Sequence, residues 1–338
     1  MSVPESIKAL ARQLPVPKND FLGVSGQLPG LPFQVLMFSR CPRTDVRPDF
    51  HYRFLWVICL DGAGDVVIDG KPHRLKPGQS VLVRPYARHG YEQVPGEAPL
   101  ECLFIGFEME SAGSISGLDG VIQDWDARAW ETQQVMLSHF LRLGNGGHHG
   151  QAQYTADRSE VVLQLARLLE GAIAPLQANQ GGTGDERTTE AQHIVERLWL
   201  YARNASPPPT EQDDGTYAVL SGVSAASITR GMLAKELAVS ESSLRDAVRT
   251  FAHTSPRDFV RRIRLQRAGM WLMEYGISVQ DVAKNVGYAE AAAFSNEFKK
   301  LMGIRPSALL KDFARDQEQK SPSRRLHFQP EFNVKRNS

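Results

Sequence analysis

Residues 282–307 read Val282-Ala-Lys-Asn-Val-Gly-Tyr-Ala-Glu-Ala-Ala-Ala-Phe-Ser-Asn-Glu-Phe-Lys-Lys-Leu-Met-Gly-Ile-Arg-Pro-Ser307. Phe294, Phe298 and Leu301 recur at helical spacing, so they share one apolar face. Ala292, Ser295, Asn296 and Lys299 share the opposite face. Gly287 stands where a tight turn would join this helix to the one before it. A left-handed backbone there is cheap only for glycine. The stretch predicts a short helix, a turn and a second helix with two usable faces.

The layout has an upstream echo. Leu233-Ala234-Lys235 matches Val282-Ala283-Lys284, Leu237-Ala238 matches Val286-Gly287, and His253-Thr-Ser-Pro256 sits like Gly303-Ile-Arg-Pro306. Two copies are too few for a solenoid. They fit a duplicated helix-turn-helix. In the first copy Leu244, Ala247, Val248 and Phe251 form the inner stripe, and Ser242, Arg245, Asp246 and Arg249 the outer one. Ser240 is the expected N-cap.

A helix fits the DNA major groove and presents its outer side chains to base edges. Arginine can pair with guanine and asparagine with adenine, small residues allow contact with the thymine methyl, and flanking Lys and Arg neutralise phosphates. The 282–307 stretch resembles the signature of the AraC/XylS family of bacterial transcription regulators. The likeness lies in its Ala-x-x-x-Gly-aromatic turn, its Phe-x-x-x-Phe-Lys helix and its Gly-x-x-Pro end. Arg262-Ile-Arg-Leu-Gln-Arg-Ala268 resembles the helix that joins the two family motifs. The resemblance covers about 228–313.

It implies two helix-turn-helix units entering adjacent major-groove segments about one DNA turn apart. By position, Ser242, Ser243, Arg245, Asp246 and Arg249 would meet DNA from the first unit. Ala291, Ala292, Ser295, Asn296, Lys299 and Lys300 would do so from the second. Ala289-Glu-Ala-Ala-Ala293 is poor in hydrogen-bonding groups, so the second unit is expected to add more phosphate and methyl contact than base readout. The turn-rich stretch 206–227 is longer than the family leads one to expect at that point.

The first half reads differently. Phe54-Leu-Trp-Val-Ile-Cys-Leu60, Asp65-Val-Val-Ile-Asp-Gly70, Gly78-Gln-Ser-Val-Leu-Val-Arg-Pro85 and Leu100-Glu-Cys-Leu-Phe-Ile-Gly-Phe107 are strand-like runs punctuated by Gly and Pro, which predicts a β-barrel or sandwich. Trp130, Val135, Leu137, Phe140 and Leu141 predict one amphipathic helix, and Val161, Val162, Leu165, Leu168 and Leu169 another. Gly181-Gly-Thr-Gly184 reads as a linker. Residues 188–204 read as a helix stopped by Pro207-Pro-Pro209.

This half resembles the cupin-like sensor barrel that family members often carry. Gly62-Ala-Gly64, Asp69-Gly70, Lys76-Pro-Gly78 and Pro85-x-x-x-His89 supply the spacing. The resemblance makes the helices of 126–176 a dimerisation region, although their apolar faces serve equally as intradomain core. Anchored on Gly62-x-Gly64, it places Arg47, Tyr91 and Phe104 where arabinose-sensing members hold sugar, with Trp56 and His89 as secondary candidates. Arginine can fork to ligand oxygens and aromatics can stack on a ligand face. The implied effector is small and polar. A metal cupin needs more ligands than His51 and His89 provide, so neither metal nor cofactor is expected.

Composition agrees. The 338 residues suggest about two domains. Cys41, Cys59 and Cys102 lack any CxxC spacing, which excludes a disulfide scaffold or zinc finger and leaves reduced, mostly buried thiols. Residues 1–185 hold 16 Lys and Arg against 20 Asp and Glu, whereas 186–338 hold 23 against 18. A basic second half suits an anionic partner. No apolar run reaches the ~18 residues of a membrane helix, and residues 1–14 lack a secretory core, so a cytoplasmic location is expected.

The expected fold is thus multidomain α+β. A cupin-like sensor and dimerisation domain occupies 1–185, an all-α DNA-binding domain 186–316 and a disordered tail 317–338. The expected function is a homodimeric, effector-responsive, non-enzymatic activator working on double-stranded promoter DNA with RNA polymerase. The rival readings are a cupin-type metalloenzyme and a constitutive DNA-binding protein whose barrel only dimerises.

Overall fold

The computed structural model describes residues 2–14, 35–44, 50, 53–108, 118–144, 151–178, 186–206, 210–211, 217–218, 222–224, 227–274 and 276–311. The chain opens with helix α1 (Glu5–Ala11), which buries Ile7 and Ala11. Strands β1 (Leu36–Arg40), β2 (Phe54–Asp61), β3 (Gly64–Ile68), β4 (Lys71–Leu75), β5 (Gln79–Val83), β6 (His89–Gln93), β7 (Glu101–Phe107) and β8 (Ile122–Asp124) follow. They form two antiparallel sheets, ordered β1-β7-β2-β5-β8 and β4-β3-β6.

The run Phe54–Leu60 became the centre of the larger sheet. It is flanked on both sides and buried on both faces, the environment in which a strand loses its polar alternation. Strand β3 keeps an alternating pattern, with Gly64, Val66 and Ile68 inward. At the edge, β4 carries Pro72, Lys71 and Arg74 outward, where a missing N–H does no harm. Asp69 (φ 48°) and Gly70 (φ 80°) form the two-residue loop between β3 and β4, the type I′ geometry that matches strand twist. The two sheets do not close into a barrel among the described residues. Strand-like runs and turns were legible in the sequence, but closure is not a local property. Cys59 and Cys102 are buried, and burial pushes the Cys59 thiol up to about 12, whereas Cys41 is exposed.

Helices α2 (Ala127–Gly144) and α3 (Gln151–Ala178) pack together beside α1. The buried Asp157 carboxylate lies 2.6 Å from His139 Nδ1 and 2.9 Å from Arg142 Nη2, joining the two helices. Trp130, Leu137, Phe140, Leu141, Val161, Leu165, Leu168 and Leu169 are buried within the chain, so these faces serve as intradomain core. Val162, expected in the second stripe, is only half-buried, and Val135 departs from the first. It is exposed, while Gln133 and Met136 turn inward.

Helix α4 (Glu186–Asn204) leads into the helical half, followed by a small hairpin of β9 (Thr210–Glu211) and β10 (Tyr217–Ala218). Then come α5 (Arg230–Glu236), α6 (Glu241–Ala252), α7 (Pro256–Glu274), α8 (Val279–Asn285) and α9 (Ala291–Met302). The molecule is a sheet-rich first domain followed by a helical region. No helix among the described residues is long and apolar enough to cross a membrane.

Candidate nucleic-acid interface

Each of the pairs α5–α6 and α8–α9 is set by capping and one left-handed residue. Thr229 Oγ1 accepts from Met232 N at the start of α5, and Ser278 Oγ accepts from Asp281 N at the start of α8. The turns that follow need a positive φ, at Ala238 (φ 49°) and Gly287 (φ 81°). Helix α6 starts at Ser240, whose Oγ accepts from Ser243 N at 3.0 Å, as the sequence predicts.

Helix α6 has two clean faces. Leu244, Ala247, Val248 and Ala252 are buried, while Phe251, expected in that stripe, is half-buried. Ser242, Ser243, Arg245, Asp246 and Arg249 are all exposed. Arg245 Nε donates to Asp246 Oδ1 at 3.1 Å, a solvent-screened pair that orients the guanidinium at little cost. At the start of the helix, the hydroxyls of Ser242 and Ser243 each lie 2.8 Å from Ser240 Oγ. Arg230 pairs with Glu241 at 2.6 Å and joins α5 to α6.

Helix α9 buries Phe294, Phe298 and Met302. Leu301, expected in that stripe, is only half-buried, with Met302 taking its place. Ala292, Asn296, Lys299 and Lys300 are exposed, while Ala291 and Ser295 are half-buried. The sequence pattern missed Glu297. It accepts from Tyr288 Oη at 2.7 Å and faces Arg261 of α7 at 3.6 Å, pinning α9 to α7. Burial, then this hydrogen bond, pushes the Tyr288 phenol well above its usual range.

In the first domain, three of the five sensor candidates come together. Tyr91 meets Phe104 edge-on at 5.9 Å, and His89 meets Tyr91 edge-on at 6.1 Å. The sequence reading missed two neighbours on β1. Phe38 stacks on Phe104 at 4.7 Å, and the Arg40 guanidinium lies 5.5 Å from the Phe38 ring. Their spacing of two on a strand was the signal. Trp56 does not join them. Antiparallel partners share a face, so Val57 accompanies Phe104 while Trp56 accompanies Ile105 on the other side. There the Trp56 indole N–H donates to Ser80 Oγ at 3.0 Å and its ring meets Trp125. Arg47 and His51 lie outside the described residues. Among the described residues, no group of three or more His, Cys, Asp or Glu could hold a metal.

Comparison with known proteins agrees with this division. An AraC-like ligand binding domain model matches residues 33–182, and a helix-turn-helix domain model matches 233–312. The chain belongs to the AraC family of transcription regulators. It is 22% identical over 273 residues to the transcriptional activator RhaS of Escherichia coli, covering 79% of this chain and 88% of RhaS. It is 33% identical over 106 residues to the raffinose operon regulatory protein RafR of Pediococcus pentosaceus, covering 31% and 38%. A ToxT crystal structure from Vibrio cholerae superposes with a TM-score of 0.51 at 11% identity, covering 83% of this chain and 99% of that one, a likeness of fold.

In this AraC-family chain the two halves touch through specific side chains that no local pattern announced. Phe50 stacks on Phe259 of α7 at 5.3 Å, its carbonyl accepts from Gln266 Nε2 at 2.8 Å, and Arg262 covers its ring at 5.2 Å. Glu108 faces Arg203 of α4 at 3.5 Å. Arg84, itself paired with Asp69 and Asp119, lies 5.5 Å from the ring of Phe251 near the end of α6. His253 closes α6 and stands 3.8 Å from Asp69. Burial raises the Asp69 carboxyl even against Arg84. The first domain therefore touches the C-terminal end of α6, at Phe251 and His253, while the outer side chains of α6 stay exposed among the described residues.

Proposed function

We propose that this transcription regulator reads DNA through two helix-turn-helix units, α5–α6 and α8–α9, within a DNA-binding domain of residues 186–316. Residues 1–185 form a cupin-like sensor and dimerisation domain. Ser242, Arg245, Asp246, Ser295 and Asn296 read base edges. Ser243, Arg249, Lys299 and Lys300 add phosphate contact, while Ala291 and Ala292 allow close approach and methyl contact. The observation that carries this reading is the exposure of all five outer candidates on α6 opposite the buried Leu244, Ala247, Val248 and Ala252.

A small effector near His89, Tyr91 and Phe104 shifts the balance between DNA-competent and other arrangements. The protein acts in the cytoplasm as a homodimer formed through the α2–α3 region, where Val135 and Leu163 stand exposed. It activates transcription with RNA polymerase and performs no catalysis. The test is Arg245→Ala. Its binding to the specific site falls by about 1–3 kcal/mol and its sequence preference relaxes. An equal loss on specific and random DNA makes Arg245 a phosphate contact instead and removes it from the reading set.

A further inference from the structure

Residues 205–223 interrupt the helical half at a point where the sequence offered no role. The ends of this insertion meet each other, since Val223 N donates to Ala205 O at 3.0 Å. Their junction is wedged among three helices. From α7, the buried Arg264 Nε donates to Ser206 Oγ at 3.0 Å, and its other arm reaches Val223 O. Burial brings the Arg264 guanidinium down to about 10. The buried Arg267 donates to Ser206 O at 3.2 Å and to Arg203 O of α4.

On the other side, Gly222 N donates to Lys284 O near the end of α8, at 3.3 Å. A Cβ at Gly222 would lie 1.8 Å from the Asn285 carbonyl oxygen and 2.7 Å from the Ala205 carbonyl oxygen. Both are backbone atoms, so neither can swing aside as a side-chain tip could. Any residue larger than glycine must therefore shift backbone where the segment at 222 meets the end of α8 and Ala205.

Buried arginines and a backbone-to-backbone approach are a costly way to join two chain segments. A buried cation needs hydrogen-bond acceptors, and the Ser206 hydroxyl together with the carbonyls of Arg203, Ser206 and Val223 supplies them here. We propose that the junction of Ala205–Ser206 with Gly222–Val223 is a strap that fixes α8–α9 relative to α5–α6, and that Gly222 thereby helps set the spacing between the two DNA half-sites. Gly222 is a positioning residue, acting through α8 and touching no base. The proposal rests on the two-reader account of the preceding subsection.

The test uses the full chain and the DNA site selected by the wild type from random duplexes. Gly222→Ala should keep the half-site read by α6 and lose or displace the half-site read by α9. Affinity for the two-block site should fall by about tenfold, the size of one misplaced base-pair contact. Affinity for a site holding only the first block should be unchanged. Ser206→Ala, which adds no bulk, should shift the same ratio in the same direction by a smaller factor. It decides the matter if Gly222→Ala melts early.

Wild-type selectivity for the two-block site in both variants overturns the strap. So does an equal loss on one-block and two-block sites, which is what a purely structural defect gives. A wild-type protein that selects only one block overturns the two-reader account, and the strap falls with it. That failure is distinguishable because it occurs before any variant is made.

Discussion

The pairs α5–α6 and α8–α9 repeat one backbone and solve it with different residues. The turn between helices is left-handed in both, yet Ala238 holds it in the first pair and Gly287 in the second. The second helix ends on a left-handed residue in both, His253 in one and Gly303 in the other. Ser240 caps α6 with its side chain, whereas Glu290 makes no side-chain cap for α9. Outward, α6 offers serine, arginine and aspartate, and α9 offers alanine, asparagine and lysine. The first pair is also the one that Asp69 and Arg84 of the first domain touch. The repeat therefore fixes geometry, while the outward side chains differ: under the proposed function both pairs read DNA, and the first, richer in hydrogen-bonding groups, reads it more sharply.

Core truncation should break the comparison most strongly. Phe298→Ala should cost roughly 3–5 kcal/mol in chemical denaturation, because Phe298 is fully buried and α9 has few other large anchors. A loss below about 1 kcal/mol would mean that the second pair is not held by its aromatic stripe. Exchanging the turn residues comes next. Gly287→Ala should destabilise by about 1–2 kcal/mol, the cost of a left-handed Cβ. Ala238→Gly should stabilise by about 0.5–1 kcal/mol, since glycine gives back part of that gain as backbone entropy. Equal effects of one sign would contradict the shared geometry.

Ser240→Ala should cost about 1 kcal/mol, through the loss of a cap that Glu290 does not supply. Glu290→Ala should stay within about 0.5 kcal/mol. Thermal melting of both variants shows whether the caps differ. The smallest expected effect belongs to Lys299→Ala. It should weaken binding to all sequences alike and lower the salt slope by about 1. A change in sequence preference would move Lys299 from anchorage to readout.

Local features were the legible ones. Periodicity gave the inner stripe Leu244, Ala247 and Val248, and turn chemistry gave Gly287 and the Asp69-Gly70 hairpin. Errors arose where a face had to be chosen without an alternating pattern. Trp56 lies within an unbroken apolar run, so nothing local says which side it takes. Leu301 and Met302 are adjacent apolar residues at a helix end, and either could have turned inward. The contacts of Phe50 with Phe259, and of Ser206 with Arg264, join residues far apart in the chain. No window of sequence holds both partners.

The most direct measurement is selection of binding sites from random duplex DNA by the full chain, followed by salt titration on the winning site. The account predicts a two-block motif whose halves lie about one helical turn apart, with affinity falling steeply as salt rises. The better-defined block should belong to α6. A single enriched block with no partner one turn away would contradict the claim that both helix pairs read DNA.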